Sequence, residues 1–489
     1  MVVNSLSFLL FFIVVFAVYY APGIRQYATR QNAWLLLASY FFYGFVDWKM
    51  LPILFGVTVV FYWLGAQIKK EMDVNNRKKA SHYMKYGVVI GIGLLLYFKY
   101  LNFFAESVAD FLRILGLNVS WSTLNIILPV GVSFFTFKLI SYVMEIKRKK
   151  TVPADSLLEF ATYISFFPTI MSGPIDRPNT FFPQLRKCHG FDYDKAVDGC
   201  QQILWGIFTK VVIADNLAMI TSLAWNDYAN QSSNLLLLAI LLSPVQVYAD
   251  FDGYSNMAIG VSKVLGFDIV KNFNHPLLAR NVSEYWNRWH MSLTTWITDY
   301  VFTPLSLKFR DLANLGFMLA ITANLVLIGL WHGANWTYVV FGLFHSVLFI
   351  PIVYSGSLGK PQKLKESKLH TPLLKDLFKM IATYFIIGVG HVIFFAKDVS
   401  SAYNYFEQLV KCDWNFKTQV YTVPLVIYFF VVLLFVLEWT TRKREYVLQI
   451  HQHLKGKRRW ILYALDYLFI AAIIRYGCVE SKQFIYFHF

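Results

Sequence analysis

Long apolar runs alternate with short polar stretches along nearly the whole chain. The runs fall near 6–20, 33–46, 51–66, 86–100, 125–142, 158–174, 199–222, 233–262, 312–330, 336–355, 377–396, 421–438 and 461–476. A spanning helix needs about 20 mainly apolar residues. The pattern therefore predicts an all-α polytopic membrane protein with about 11–13 transmembrane or re-entrant helices. Several runs are shorter than a full span and must tilt, pack as partial helices or re-enter. Pro168, Gly173, Pro174 and Pro178 mark 158–174 as re-entrant, because broken backbone at membrane depth needs protein or a cavity around it. The stretch 271–311 is too polar to span yet carries Trp286, Trp289, Trp296 and Tyr300. It fits an amphipathic segment at the interface or one folded into the bundle. The first run begins at Ser5 with no basic lead and no small-residue cleavage site, and is read as a retained span.

Composition agrees with this pattern. The 489 residues are 57% hydrophobic and only 15% charged, below the roughly 25% usual in soluble domains. The formal charge of +16 sits in short runs between apolar segments, with no nucleic-acid motif or soluble basic face. These runs include 67–87 with Lys69, Lys70, Arg77, Lys78, Lys79 and Lys85, and 144–157 with Lys147, Arg148, Lys149 and Lys150. Two more are 356–379, with six lysines, and 442–459, with Arg442, Lys443, Arg444, Lys455, Lys457, Arg458 and Arg459. The 223–233 loop has no Lys or Arg, and 101–124 has only Arg113. Taking the basic loops as cytoplasmic places both termini on the extracytoplasmic side, provided 158–174 enters and leaves on the cytoplasmic side, and lets anionic lipid heads bind the basic side. Cys188, Cys200, Cys412 and Cys478 form no CxxC pair, so neither a zinc site nor a disulfide framework is indicated. No internal repeat is visible, which weighs against a repeat-built transporter. The chain is read as one integral membrane domain, 1–489, with its motifs between about 125 and 345.

Candidate chemistry gathers in two places. Glu284-Tyr285-Trp286-Asn287-Arg288-Trp289-His290-Met291-Ser292-Leu293 is followed by Trp331-His332-Gly333. Ionisable groups at membrane depth are costly, so each histidine is a functional candidate. A neutral imidazole at His332 can take a proton from a hydroxyl, and Gly333 allows close approach. An interfacial histidine in an aromatic belt is the competing reading. His290 can hold a hydroxyl, orient the other histidine or stabilise an oxyanion, or it can be structural. Helical spacing would put Trp286, Asn287, Leu293 and Thr294 on its face.

Tyr248-Ala249-Asp250-Phe251-Asp252-Gly253-Tyr254-Ser255-Asn256 interrupts the 233–262 run with two carboxylates and a glycine. Asp250 and Asp252 can pair with Arg280 or Arg288, lock a helix break, or line a substrate path with Tyr254. Arg177, after Ser172-Gly173-Pro174-Ile175-Asp176, can meet a phosphate of a donor or be a cytoplasmic flank charge. His345 and His391 each stand alone on an apolar helix and read as packing residues, while His275 and His189 read as loop residues. The histidines lack HxxxH spacing, so no metal is expected. No GxSxG, Walker loop or GxGxxG setting is present.

Five blocks in order resemble the membrane-bound O-acyltransferases, especially the bacterial branch of alginate O-acetylation and teichoic-acid D-alanylation membrane proteins. They are Leu128-Pro129-Val130-Gly131-Val132-Ser133-Phe134-Phe135-Thr136-Phe137, Phe166-Phe167-Pro168-Thr169 with Ser172-Gly173-Pro174-Ile175, Asp250 to Ser255, Tyr285 to Leu293, and Trp331-His332-Gly333. The closing Phe484-Ile485-Tyr486-Phe487-His488-Phe489 also looks like the alginate-type branch. The resemblance implies helices around a central tunnel and an acyl group carried from a cytoplasmic thioester donor to a hydroxyl on the far side. It puts the family's catalytic histidine on His332 and its second polar position on His290. Trp286, Asn287, Arg288, Trp289, Trp331, Asp250, Asp252, Tyr254 and Arg177 are then the candidate substrate contacts. The implied donor is acetyl-CoA or an acyl carrier protein with phosphopantetheine, with no tightly bound cofactor. The implied acceptor is a cell-envelope polysaccharide or an SGNH-like transferase outside a bacterial cytoplasmic membrane. D-alanyl transfer to teichoic acid, an envelope-precursor transporter and a membrane scaffold are the alternatives.

Overall fold

A computed structural model of the chain describes residues 3, 5–117, 119–121, 123–358, 371–411, 423–449 and 459–478. Cys412, Lys360, Lys363, Lys365, Lys368, Lys455, Lys457, Arg458, the first residues of the 421–438 run and the closing Phe484 to Phe489 lie outside the described residues. The fold is 76% helical with no strand among the described residues. Seven helical segments there are long and apolar enough to cross a membrane, and Leu6–Tyr19 and Leu425–Thr440 are shorter apolar helices. The protein is an all-α polytopic membrane protein.

Apolar runs that look separate in the sequence are partly fused. Ala28–Asp47 passes through the short turn Trp48–Met50 into Leu51–Asp73. Arg77–Leu95 continues through a widened turn, Leu96–Tyr100, into Leu101–Ile114. The polar stretch expected as a loop over 101–124 is thus helical in its first half. Phe103, Phe104, Val108 and Phe111 recur at helical spacing there, so polar residues can be carried on one face.

The chain forms two compact units, residues 1–203 with 257–270, and residues 204–256 with 271–489. In the first, Leu51–Asp73, Arg77–Leu95 and Val132–Lys147 pack on one another. A Cβ at Gly91 would come within 2.7 Å of Ile140, so a glycine there permits the close approach. The helix Leu157–Ser165 stops where Pro168, Gly173 and Pro174 follow, and residues 166–176 are all buried in irregular backbone. Protein groups satisfy it: the Phe167 amide donates to Ser39 Oγ at 3.1 Å, and Tyr163 Oη–H donates to the Asp176 carbonyl at 2.9 Å.

In the second unit, Ala313–His332, Trp336–Val347 and Leu374–Phe395 form the frame of the site. Gly329 and Gly342 bring the first two together: a Cβ at Gly329 would lie 2.1 Å from the Tyr338 carbonyl oxygen, and one at Gly342 2.6 Å from Val326 Cα. Small residues at such crossings let backbones approach where no hydrophobic effect draws helices together.

The expected break at Asp250–Gly253 does not occur. Ser233–Val264 is one helix of 32 residues running through both carboxylates. Arg280 and Arg288 both meet Glu284. Lys210 Nζ instead sits 2.8 Å from Asp215 Oδ1 and 2.5 Å from Asp250 Oδ1, all three buried. Asp252 accepts from Asn256 Nδ2 at 2.8 Å, one turn on. With Asp250 paired to a cation and Asp252 hydrogen-bonded within its own helix, neither side chain has to leave the helix.

Candidate functional site

His332 is the last residue of Ala313–His332. The backbone turns extended at Gly333, where a Cβ would lie 2.2 Å from the Tyr338 ring. Asn335 then caps the next helix, its Oδ1 accepting from the Thr337 amide at 3.0 Å. This turn seats the His332 ring against Trp331, with centroids 5.1 Å apart, and Phe394, 5.0 Å away. The side chain is buried.

His332 lines a narrow cavity within the second unit, with about 20 Å³ of free volume, room for about one water. Val247, Tyr285, Trp286, Trp289, Phe341, Ile387 and Phe394 form its apolar walls. Two further histidines complete it, His345 from Trp336–Val347 and His391 from Leu374–Phe395. Sequence reasoning took both for packing residues. Nothing in their local sequence distinguishes them, since each is one polar residue on an apolar helix. Three imidazoles share the cavity, yet no group of three potential ligands is placed to hold a metal ion among the described residues.

His290 stands one aromatic ring behind this cavity. It is not on a continuous helix: Val282–Trp286 and Met291–Ile297 are separate, and His290 between them has φ 43°. The helical face expected for it is therefore absent. A side chain other than glycine in this left-handed region carries strain that the surroundings must hold. Asn272 does so. Its Oδ1 receives His290 Nδ1–H at 3.0 Å and the Ser292 hydroxyl at 2.9 Å, while its Nδ2 donates to Ser255 Oγ at 3.1 Å. The Met291 amide also donates to the Asn272 carbonyl, at 2.7 Å. An amide oxygen only accepts, so the proton of a neutral His290 lies on Nδ1 and its lone pair on Nε2. Burial lowers the imidazole to about 3 and keeps it neutral. Its ring meets Trp331 at 5.3 Å, and Trp331 in turn meets His332. Asn272 was not singled out in the sequence, because it lies 18 positions from its partner, with no periodicity that pairs them.

The other sequence candidates divide by place. Trp286 and Trp289 wall the cavity, and Trp331 links the two histidines. Arg288 is drawn to Glu284, with 2.5 Å between Nη2 and Oε1, and Asn287 is exposed. Burial would raise the Glu284 carboxyl, but Arg280 and Arg288 together hold it below the usual value. Asp250, Asp252 and Tyr254 are buried on Ser233–Val264, the first two in the contacts described above. Arg177 belongs to the first unit, where Nη1 donates to Ser141 Oγ at 3.3 Å and lies 3.9 Å from Glu145. His275 is a loop residue as expected, but buried, with Nδ1 2.5 Å from Glu438. Tyr248 Oη–H donates to the same carboxyl group at 2.8 Å.

Comparison with known proteins adds an independent line. The membrane-bound O-acyltransferase family matches residues 151–390. A probable alginate O-acetylase of Pseudomonas aeruginosa is 35% identical, over 84% of this chain and 75% of its own length. A peptidoglycan O-acetyltransferase of Helicobacter pylori is 30% identical, over 76% of this chain and 72% of its own. A teichoic acid D-alanyltransferase of Bacillus subtilis is 32% identical, over 56% of this chain and 70% of its own.

Proposed function

The chain belongs to the membrane-bound O-acyltransferase family and is an O-acyltransferase, and we propose that it carries acetyl from a cytoplasmic thioester to an envelope hydroxyl. The donor is acetyl-CoA or an acyl carrier protein with phosphopantetheine. The acceptor is a cell-envelope polysaccharide or an SGNH-like transferase that completes the delivery outside a bacterial cytoplasmic membrane. Both termini face that outer side. The alginate- and peptidoglycan-acetylating relatives support acetyl over D-alanyl. The observation that carries the proposal is a buried histidine at the end of a helix, facing an aromatic cavity with His345 and His391.

In this reading the His332 imidazole takes the proton of the acceptor hydroxyl as its oxygen attacks the thioester carbonyl. The new C–O bond forms, the C–S bond breaks, and the proton passes from His332 to the leaving thiolate. Thioester and alcohol become ester and thiol, with no other reactant. His290 positions Trp331, and through it the His332 ring. Trp286 and Trp289 exclude water, which strengthens each polar contact in the cavity. Arg288, Asn287, Asp250, Asp252, Tyr254 and Arg177 serve by holding the frame or the approaches to it.

Purified protein in lipid vesicles with radiolabelled acetyl-CoA tests the proposal. Release of CoA with labelled acetyl on a saccharide, in wild type and not in His332→Ala, is the expected result. Label transfer at the wild-type rate by His332→Ala refutes the catalytic role. Turnover only with a D-alanyl carrier protein assigns the acyl group to the teichoic-acid type.

A further inference from the structure

Two buried histidines sit in left-handed backbone, His275 at φ 50° and His290 at φ 43°. Each turns Nδ1 to one oxygen acceptor, Asn272 for His290 and Glu438 for His275. Glu438 comes from 163 positions away. It is the one charged residue of the helix Leu425–Thr440, and only 3% exposed. A carboxylate carried into the bundle on an apolar helix is costly and calls for a role. Its two oxygens take donors from two different elements. Oε1 accepts from Tyr248 Oη–H at 2.8 Å, and Oε2 lies 2.5 Å from His275 Nδ1. Fastening Leu425–Thr440 to Ser233–Val264 uses Tyr248 alone, so the bond to His275 does something else.

The stretch that carries His275 also supports His290. The Asn274 amide donates to the Arg288 carbonyl at 3.0 Å, and the Met291 amide to the Asn272 carbonyl at 2.7 Å. Residues 272–275 and 288–291 therefore lie side by side. Phe273, between Asn272 and His275, packs on Tyr248 at 5.7 Å, Phe251 at 5.1 Å and Trp289 at 4.9 Å. Trp289 walls the cavity that holds His332. A residue other than glycine at φ 50° stays there only while its surroundings hold it. Without Glu438 the backbone at 275 relaxes, and Asn272 on the same short stretch moves with it. On the acyl-transfer reading of His332, we infer that Glu438 is a positioning residue for the reaction: through His275 it fixes the stretch on which Asn272 holds His290, and so the seat of Trp331 and His332. The helix Leu425–Thr440, beyond the residues 151–390 that match the family, thereby becomes part of the catalytic frame.

The test uses the full-length protein in lipid vesicles and a double-mutant cycle. Glycine adopts φ 50° at little cost, so His275→Gly is a background in which the stretch needs no anchor. With radiolabelled acetyl-CoA, Glu438→Ala should lower kcat about tenfold and leave the thioester KM in place. In the His275→Gly background the same substitution should cost about threefold or less. A wild-type kcat in Glu438→Ala overturns the inference, whatever its Tm, and so does an undiminished loss in the His275→Gly background. The ¹⁵N resonance of His290 Nδ1, identified by its loss in His290→Gln, reads the anchor without turnover. It should move in Glu438→Ala, and much less when that substitution is made in His275→Gly. If Glu438→Ala does not fold, His275→Ala against His275→Gly decides. Neither has a ring for Glu438, but only glycine is at ease at this φ, so kcat of His275→Ala should lie about tenfold lower. Equal values for the two overturn the inference. A wild type that transfers acyl from neither acetyl-CoA nor a D-alanyl carrier protein, with a His290 resonance that moves in Glu438→Ala, refutes the transfer reading and leaves the anchor standing. Acyl transfer with an unmoved His290 resonance does the reverse.

Discussion

Replacing Asn272 with alanine separates the support of His290 from the chemistry at His332. Asn272 is 1% exposed, and its partners His290, Ser292 and Ser255 are buried with it. The substitution removes four hydrogen bonds of the Asn272 side chain at once, the longest of them from the Ser292 amide at 3.4 Å. The Ser292 hydroxyl can rotate toward another acceptor, and Ser255 Oγ loses only a donor, so each loss costs about 0.5–1 kcal/mol. The His290 Nδ1–H cannot rotate away from its left-handed backbone position, and stranding it costs about 1–3 kcal/mol. Part of the sum is recovered by relaxation of the strain at φ 43°. The net destabilisation is therefore about 2–4 kcal/mol. Thermal unfolding in detergent, followed by tryptophan fluorescence, should show a Tm lowered by several degrees. Acetyl transfer should fall at least about tenfold, because one lost factor of ten needs only ~1.4 kcal/mol of misplaced transition-state contact. Ser255→Ala is the control: it removes one of the four bonds and should lower stability by less than ~1 kcal/mol. An Asn272→Ala protein with wild-type Tm and wild-type transfer rate would show that His290 does not depend on this anchor.

Three further predictions follow from the same frame. Gly390→Ala should gain about 1 kcal/mol of helix propensity and lose about 1–3 kcal/mol by pushing the His345 ring, a net loss of up to about 2 kcal/mol; a Tm above that of the wild type in detergent would refute the close approach. Lys210→Met strands Asp215 and Asp250 and should destabilise the protein by about 3–5 kcal/mol, and a folded yield equal to wild type in detergent extracts would refute the pairing. Acid should weaken the fold through His290. With its folded value lowered to about 3, the unfolded chain binds more protons between that value and about 6.5, so stability is full above this window and falls as pH drops through it. Unfolding at pH 4.5 and 7.5 should differ by up to about 2–3 kcal/mol from this group, and His290→Gln should flatten that part of the profile.

Much of the molecule is legible along the chain. Apolar runs of about 20 residues place the spanning helices, because in lipid each backbone group must be satisfied within its own segment. The Pro168–Pro174 punctuation places the irregular buried segment for the same reason. The blocks around His290 and His332 mark the family and a candidate site, since each is short and rich in residues that are costly in a membrane.

Other features depend on residues distant in sequence meeting in space. The carboxylates of 250 and 252 look like a helix break until Lys210, 40 positions earlier in the numbering, supplies the opposite charge to Asp250. His290 looks helical until Asn272 holds it in a conformation that local propensity disfavours. His345 and His391 look like packing residues until glycines at 329, 342 and 390 let three helices close around one cavity. Periodicity records which face of one helix is apolar, and so the sequence alone determines the spans and the two marked histidines. Which lone polar residues from separate helices face the same space is decided by how closely the backbones approach, and only the tertiary structure determines that.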